Sequence, residues 1–402
     1  MHALQAGVGV APLAIPGWAQ SGDGTPLLAR VLVLDNGTLR LALVSLTCLE
    51  LMGGAGGIIR ARVAAATGLP AAAVFVAATH LHSGPPAIGF ERQARQAYVD
   101  HLASAAATAA RQACDLRPAR FGYGTDHLPG ISRVRRIRRR DGSVITLRRA
   151  CPQYWGWATD PETVGPEEPL DDRLTVVRLE DLAGQPFGAV LHFTCHPIPD
   201  FFGYAARLVE SQMPGLTCLL LNGCLGTVDT PFEVPLRGRT QQAQLPILGD
   251  ILGYRTLELL ARLETQAEVE LGRASAPVFL PLDPRFLEHP GDRAALWADA
   301  IARGGLETEV QCLRLGELLL AGIPGEPHVG YGRQIERVSP FACSRGVSNV
   351  NQSCAYLLPA ASRARGGYES DPANWGLVTA QGLVRLTAAL KEALECLARK
   401  PT

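Results

Sequence analysis

The stretch FVAATHLHSGPP, residues 75–86, places two histidines one residue apart, directly after a short apolar run. The run from Val74 to Ala78 contains β-branched and aromatic residues and predicts a buried strand, which the Ser-Gly-Pro-Pro cannot continue. His80 and His82 therefore follow a strand end, where residues two apart in an extended segment point the same way. The pair fits one metal ligand with a helper, two ligands of one metal, or two hydrogen-bonded loop histidines.

Further apolar runs of strand length alternate with helical patterns, which indicates an α/β fold. The other predicted strands are Ala29–Leu34, Leu41–Leu46, Leu174–Leu179, Gly188–Phe193, Leu216–Leu221 and Leu318–Ile323. The predicted helices are Ile58–Ala66, Ala94–Cys114, Tyr204–Glu210, Pro246–Leu263 and Leu377–Arg399. Because nothing in the sequence indicates a domain boundary, we predict a single large mixed-sheet domain with flanking helices over residues 1–402.

The bulk composition argues against several classes of protein. The 402 residues include 38 basic and 38 acidic ones, so charge predicts no nucleic-acid or anionic-membrane partner. No signal peptide and no transmembrane segment is visible. The ten cysteines contain no C-x-x-C pair and are expected to be buried free thiols. We therefore expect a soluble cytoplasmic protein, and we make no prediction of its oligomeric state.

A histidine, a glutamate and a pair of tyrosines are further candidate site residues. His196 ends the strand in AVLHFTCHPIPD, and Glu326 follows the strand in LLLAGIPGEPH, held between glycine and proline. Tyr356 and Tyr368 lie twelve residues apart, and a phenolate can ligate a metal. Each observation has an ordinary alternative: a core or rim histidine, a turn carboxylate, and two packing tyrosines.

Two further segments carry candidate functional groups. The segment LLLNGCLGTVDT contains two glycines that allow close backbone approach to a substrate, and it carries Asp229, but its spacing is not that of a phosphate loop. The segment ISRVRRIRRR contains six arginines within eight positions. We expect Arg135 to serve the pocket, and Arg138, Arg139 and Arg140 to be solvated.

Taken in order, these motifs resemble those of the neutral/alkaline, non-lysosomal ceramidase family in its N-terminal catalytic domain. The family motif T-H-T-H-S-G-P stands here as THLHSGP, residues 79–85, and its N-R motif resembles SRVRR, residues 132–136. Its strand-end V-H histidine and its P-G-E glutamate resemble His196 and Glu326. The family's opening segment resembles GVGVAP followed by LLARVLVLDNG, so the resemblance covers nearly the whole chain.

The paired tyrosines complete the resemblance, since the second lies in G-G-Y-E at the family's spacing. The resemblance implies a hydrolase that cleaves an amide C–N bond with metal-activated water. It implies one zinc ion held by His80, His196, Glu326 and Tyr356. It also implies that His82 and Arg135 bind the carbonyl oxygen or the developing oxyanion, and that Tyr368 adds a hydrogen bond.

Three departures from the family pattern bear on mechanism and substrate. The family's loop aspartate and serine are replaced by Thr227 and Asp229, so no serine nucleophile is available there and Asp229 is expected to act as a base, an amine anchor or a structural cap. The family's S-L-D becomes Ser45-Leu46-Thr47. We expect no C-terminal β-sandwich domain. The expected substrate is a small-molecule amide or a lipid-like molecule, and an amide smaller or more polar than ceramide fits as well as ceramide.

Other functions stay open at this point. The same metal scaffold would serve a lyase or cyclase that uses Asp229 as acid or base. A cysteine nucleophile at Cys195 or Cys224 with His196 is a further alternative, although neighbouring residues of an extended segment point apart. The chain would instead be an inactive zinc-binding protein if the tryptophan segment Trp155–Trp157 filled the pocket; we expect a surface excursion there.

Overall fold

Strands and helices alternate along most of the chain. A computed structural model describes residues 3–85, 92–148, 151–198, 200–231 and 241–399. The strands are β1 (Gln5–Pro12), β2 (Leu28–Asp35), β3 (Arg40–Leu46), β4 (Val74–Ala78), β5 (Arg117–Pro118), β6 (Arg120–His127), β7 (Arg133–Val134), β8 (Arg136–Arg139), β9 (Val144–Thr146), β10 (Thr163–Pro166), β11 (Arg173–Glu180), β12 (Pro186–Phe193), β13 (Thr217–Asn222), β14 (Val228–Asp229), β15 (Leu271–Pro281), β16 (Gly305–Leu315), β17 (Leu318–Gly322), β18 (Glu326–Pro327), β19 (Cys343–Val347) and β20 (Tyr356–Leu357). The helices are α1 (Ala55–Thr67), α2 (Arg92–Ala113), α3 (Phe201–Gln212), α4 (Gln241–Arg262), α5 (Pro284–Glu288), α6 (Ala298–Arg303), α7 (Gly330–Val338), α8 (Ala360–Ala364) and α9 (Ala380–Ala398).

Three mixed sheets form the body of the protein. Their strand orders are β4-β3-β2-β1-β5, β13-β12-β11-β6 and β15-β16-β17-β19. Each sheet has one parallel pair, β3 with β4, β12 with β13, and β17 with β19, and its other pairs are antiparallel. A parallel pair needs a crossover, and here the crossovers contain α1, α3 and α7. The fold thus contains a βαβ unit at an edge of each large sheet.

The three sheets turn one face toward a shared apolar core. Leu34 and Phe75 from the first sheet, Val190 from the second and Leu320 from the third belong to one buried cluster. Each fully buried side chain of this kind contributes about 1.5–3 kcal/mol relative to an exposed one. Helices α1 and α2 cover the outer face of the first sheet, α3 and α4 that of the second, and α9 that of the third.

The carboxyl ends of the parallel strands define where functional side chains meet. His80 follows β4, His196 follows β12, and Glu326 follows β17 by four residues. Ligands of α/β proteins bind at such strand ends, because loops there can reach over the sheet edge. Two short ladders tie these ends together, since β18 pairs with β20 and β14 pairs with β7.

The predicted α/β fold and every predicted strand and helix are confirmed, with ends shifted by one to a few residues. The long antiparallel pair of β15 and β16 was not predicted. β15 alternates buried with more exposed positions and contains Pro277, and polar residues interrupt the apolar ones of β16, so neither strand contains a continuous apolar run. All ten cysteines are free thiols, and only Cys396 is exposed. Within the described residues no helix is long and apolar enough to span a bilayer.

Candidate metal centre

His80 occupies an unusual backbone conformation directly after β4. Its φ of 69° lies in the left-handed region, which costs a non-glycine residue about 1–3 kcal/mol. The backbone N–H of His80 donates to the Cys48 carbonyl at 3.0 Å, and Nδ1 lies 3.1 Å from the Leu49 carbonyl oxygen. Nδ1 also lies 3.2 Å from Asn349 Nδ2, so these two groups fix the ring and leave Nε2 on the opposite side.

His196 is oriented by backbone groups of the loop before β14. Its Nδ1 lies 2.9 Å from the carbonyl oxygens of both Leu225 and Val228, and its backbone N–H donates to Val228 at 3.0 Å. The side chain is fully buried. Burial, and then the positive charge of Arg135, lower the pKa of His196. His196 is therefore a neutral imidazole whose Nε2 lone pair faces away from these carbonyl groups.

Glu326 brings a carboxylate against both imidazoles. Its Oε2 lies 3.1 Å from His196 Nε2 and 3.4 Å from His80 Nε2. Burial alone would raise the pKa of Glu326, but His80, and then His196, lower it well below its usual range when they carry a proton toward the carboxylate. His196 Nε2 and Glu326 Oε2 are buried and have no hydrogen-bond partner. Such spacings suit tetrahedral zinc, whose ligand atoms lie about 3.3 Å apart for bonds of about 2.0–2.1 Å.

Tyr356 lies beside Glu326 because the two residues are register partners in the parallel pair of β18 and β20. Its ring centre is 6.4 Å from that of His196. Burial, and then the Glu326 carboxylate, raise the pKa of Tyr356 well above its ordinary value, although the guanidinium of Arg135 opposes this. The phenol is therefore protonated, because the guanidinium does not offset burial and the carboxylate. The four predicted ligand residues are thus neighbours in space.

His82 stands at the rim of the same cluster. Its Nε2 lies 3.2 Å from His80 Nε2, and its ring centre lies 5.8 Å from that of His196. The residue as a whole is exposed, yet the ring packs against both imidazoles. Desolvation on this packed side, and then the neighbouring histidines, lower the pKa of His82 well below its ordinary value. A neutral imidazole at the rim can accept a proton or a hydrogen bond from a bound molecule.

Arg135 lies within the site, and its guanidinium donates hydrogen bonds to other groups of the protein. Nε donates to Glu369 Oε1 at 2.7 Å, Nη1 to Asp229 Oδ2 at 3.4 Å, and Nη2 to the Gly226 carbonyl at 2.9 Å. Its guanidinium carbon lies 5.4 Å from the centre of the Tyr356 ring, so Arg135 packs against Tyr356 beside the cluster. Of the neighbouring arginines, Arg138 and Arg140 are exposed and Arg139 is half-buried.

The loop between β13 and β14 packs against the strand that carries Glu326. A Cβ atom on Gly226 would lie 2.4 Å from the Glu326 carbonyl oxygen, so only glycine fits this approach. The Gly226 N–H donates to the Pro327 carbonyl at 2.9 Å, and Thr227 Oγ1 accepts from the Val329 N–H at 2.9 Å. This loop glycine serves backbone packing. Asp229 at the end of the loop is buried, and its Oδ1 has no hydrogen-bond partner.

Tyr368 extends the site away from the imidazoles. Its ring centre lies 6.0 Å from that of Tyr356, and its backbone N–H donates to Thr146 Oγ1 at 3.0 Å. Burial raises the pKa of Tyr368, whereas the adjacent Arg148 opposes the shift. The guanidinium carbon of Arg148 lies 3.6 Å from the centre of the Tyr368 ring. The phenol is therefore protonated at neutral pH and can donate a hydrogen bond.

Sequence reasoning missed three charged residues of the site. Glu369 bridges Arg135 and Arg136, and its position directly after Tyr368 was the available signal. Glu50 has a carboxylate oxygen within 4.8 Å of ligand atoms of His80 and Glu326, and burial and then the Glu326 carboxylate raise the pKa of Glu50 well above its usual range. No motif marked Glu50 or Arg148.

The structure weighs against the cysteine and tryptophan alternatives. Burial, and then the carboxylate of Asp229, raise the pKa of the Cys195 thiol well above its ordinary value, and burial also raises that of Cys224. A protonated buried thiol is a poor nucleophile. Trp157 packs against a separate small apolar cluster that contains Ile137, and Trp155 is exposed. Neither tryptophan fills the centre.

Comparison with solved structures shows which known fold the chain has. The crystal structure of neutral ceramidase from Pseudomonas aeruginosa matches with a TM-score of 0.73 and 19% identity, over 100% of this chain and 76% of that one. The chain has the neutral ceramidase fold. A structure described as ceramidase complexed with C2 matches with a TM-score of 0.74 and 18% identity, over 100% of this chain and 77% of that one. No protein-family model and no curated protein matches the sequence.

Proposed function

We propose that this ceramidase-like protein hydrolyses an amide C–N bond with the aid of one zinc ion. The observation that carries the proposal is the convergence of His80 Nε2, His196 Nε2 and Glu326 Oε2 within 3.1–3.4 Å contacts, two of these atoms being buried without a hydrogen-bond partner. Two imidazoles and a carboxylate are a donor set that zinc prefers. Tyr356, packed against Arg135, would be the fourth ligand.

The residues of the chain divide into ligands and groups that face the substrate. A zinc ion held by them would act as a Lewis acid toward the amide carbonyl and would activate a water molecule. His82 at the rim would bind the carbonyl oxygen or accept a proton, and the Tyr368 hydroxyl would donate a hydrogen bond to the same centre. The overall reaction takes an amide and water to a carboxylate and an amine.

Arg135 would act mainly by position in this proposal. Its contacts with Glu369, Asp229 and Gly226 fix the guanidinium beside Tyr356. The expected contact of Arg135 with an oxyanion stays a prediction. For Asp229 the pairing with Arg135 supports the role of a structural cap. A carboxylate nucleophile would have to form an anhydride with the acyl group, so we propose direct hydrolysis without a covalent acyl-enzyme.

Zinc content and the fate of the amide test the proposal together. We expect about one zinc per chain by elemental analysis and hydrolysis of N-acyl amines, both lost in His196→Ala. His192→Ala is the matched control, because His192 is a buried histidine of the same β12 strand whose Nε2 donates to the Gly346 carbonyl at 2.8 Å. It should keep its zinc. A protein that binds no zinc after purification or reconstitution would refute the proposed mechanism.

A further inference from the structure

Arg148 presents a preorganised guanidinium at the edge of the candidate site. Its guanidinium carbon lies 3.6 Å from the centre of the Tyr368 ring, a stacking distance that fixes the plane of the group. Its backbone carbonyl accepts a hydrogen bond from Trp155 Nε1 at 3.2 Å, which holds the main chain. The residue is half-buried. Stacking on a ring face leaves the edge of the guanidinium, with its fork of N–H donors, available to a ligand.

The charge of Arg148 differs from that of the other arginines in the site. Arg135 and Arg136 each pair with carboxylates, Arg135 with Glu369 and Asp229, and Arg136 with Glu369 and Glu167. For the guanidinium of Arg148, the described part of the chain supplies neither an ion pair nor a hydrogen-bond acceptor. A partly exposed cation without a protein counter-charge is hydrated in the free protein and stays available to an anionic group of a ligand.

The position of Arg148 relates this cation to the candidate metal centre. The Tyr368 ring on which it stacks lies 6.0 Å from the Tyr356 ring, so the guanidinium lies within about 10 Å of the candidate ligand ring. A guanidinium at this distance from the candidate metal centre can bind a charged group that is attached next to the scissile amide. A substrate with only neutral substituents would leave the cation unpaired in the complex.

We infer that Arg148 binds a carboxylate of the substrate, and that the substrate class is the N-acyl amino acids, in which an acyl chain is joined by an amide to an amine that bears a carboxylate. A guanidinium binds a carboxylate through two parallel N–H···O bonds, which fixes orientation as well as charge. The inference rests on the proposed amide hydrolysis. Cleavage with one water gives the acyl carboxylate and the free amino acid.

Two substrates that differ only at the charged group provide the first test. We would compare N-decanoylglycine with N-decanoylethanolamine in the zinc-containing protein. Wild type should show at least a tenfold higher kcat/KM for the glycine conjugate, the ratio expected from one charge-assisted hydrogen-bonded pair. Arg148→Gln should abolish this preference, and Arg148→Lys should keep part of it. The control Arg138→Gln, at an exposed arginine in a groove with Trp157, should keep the preference in full.

A binding measurement separates this inference from the proposed function. N-decanoylglycine is titrated calorimetrically into the full chain after chelator treatment, where no hydrolysis intervenes. Dissociation constants should rise about tenfold in Arg148→Gln and stay unchanged in Arg138→Gln. If amides are cleaved with no carboxylate preference, the inference is overturned and the hydrolase stands. If no amide is cleaved but carboxylate binding still depends on Arg148, the anion site is upheld and the hydrolase is refuted.

Discussion

Charges are paired differently in two regions of the site: its buried floor, around Arg135 and Arg136, and its rim, at Arg148. On the floor, Arg135 and Arg136 are almost completely buried, and every guanidinium faces carboxylates. At the rim, Arg148 stacks on Tyr368, with no carboxylate partner among the residues that the structure describes. Buried charges persist only when they are paired, whereas a charge at a rim can wait for a ligand. A buried, paired arginine therefore stabilises the site, whereas Arg148 at the rim is the arginine for which we infer a substrate contact.

The largest loss of stability is expected when a carboxylate of the floor is neutralised in Glu369→Gln. Glu369 is fully buried and accepts from Arg135 Nε at 2.7 Å and Arg136 Nη1 at 2.9 Å, so its neutralisation leaves two buried cations short of a partner. The free energy of unfolding should fall by about 3–5 kcal/mol. Denaturant unfolding measures the change. A loss below about 1 kcal/mol would show that the floor does not depend on this carboxylate.

The rule that buried charges need a partner also predicts opposite pH dependence of folding stability for two buried aspartates at helix N-termini. Asp200 caps α3, and burial raises its pKa to about 6 because its hydrogen bonds do not offset the desolvation. Its proton is bound more tightly in the folded protein, so its contribution to stability is largest below pH about 4 and is lost as the pH rises to about 6. The stability of Asp200→Asn relative to wild type should therefore rise by about 2 kcal/mol between pH 4 and pH 7.

Asp283 supplies the matched control for this titration. It caps α5 and pairs with Arg285 and Arg363, which lower its pKa although burial would raise it. Its contribution to stability is present above the unfolded pKa of about 4 and is lost only at lower pH. Asp283→Asn should thus differ from wild type by a constant amount between pH 5 and pH 7. Parallel curves for the two variants would contradict the rule.

A smaller effect is expected at Asp229, where the floor meets the loop. Its contact with Arg135 Nη1 is 3.4 Å, and Glu369 still compensates the guanidinium when Asp229 is neutralised. Asp229→Asn should lower the free energy of unfolding by about 1–2 kcal/mol and leave zinc binding intact. Intact-protein mass spectrometry during turnover should show no acyl adduct in wild type. An adduct on the protein would contradict direct hydrolysis.

The smallest effect belongs to the solvent-exposed surface. Glu307 in β16 pairs with Arg303 at the end of α6 at 2.6 Å, with both side chains more than half exposed. Glu307→Gln should change the free energy of unfolding by about 0.5 kcal/mol or less, because water and salt screen the pair. Measured beside Glu369→Gln, it separates the effect of burial from the effect of losing any ion pair. Equal losses in the two variants would show that burial does not set the scale.

Strands, helices and the residues that follow them can be assigned from local sequence patterns. Apolar runs such as Val74–Ala78 predict strands because burial requires a continuous apolar surface, and the turn residues beyond them stop the ladder. His80, His196 and Glu326 could be selected for the same reason, since polar groups that follow buried strands meet at a sheet edge. The resemblance supplied the expected roles of Tyr356 and Tyr368, whose ring centres lie 6.0 Å apart in the structure.

Only the tertiary structure decided which charges are paired. Arg135, Arg138 and Arg148 look alike in a sequence, yet one is held by carboxylates, one is exposed and one stacks on a tyrosine. The carboxylate Glu369 lies 234 positions from Arg135, a separation that local patterns do not span. Strand formation depends on neighbours along the chain, whereas the state of a charge depends on what the fold brings within a few ångströms.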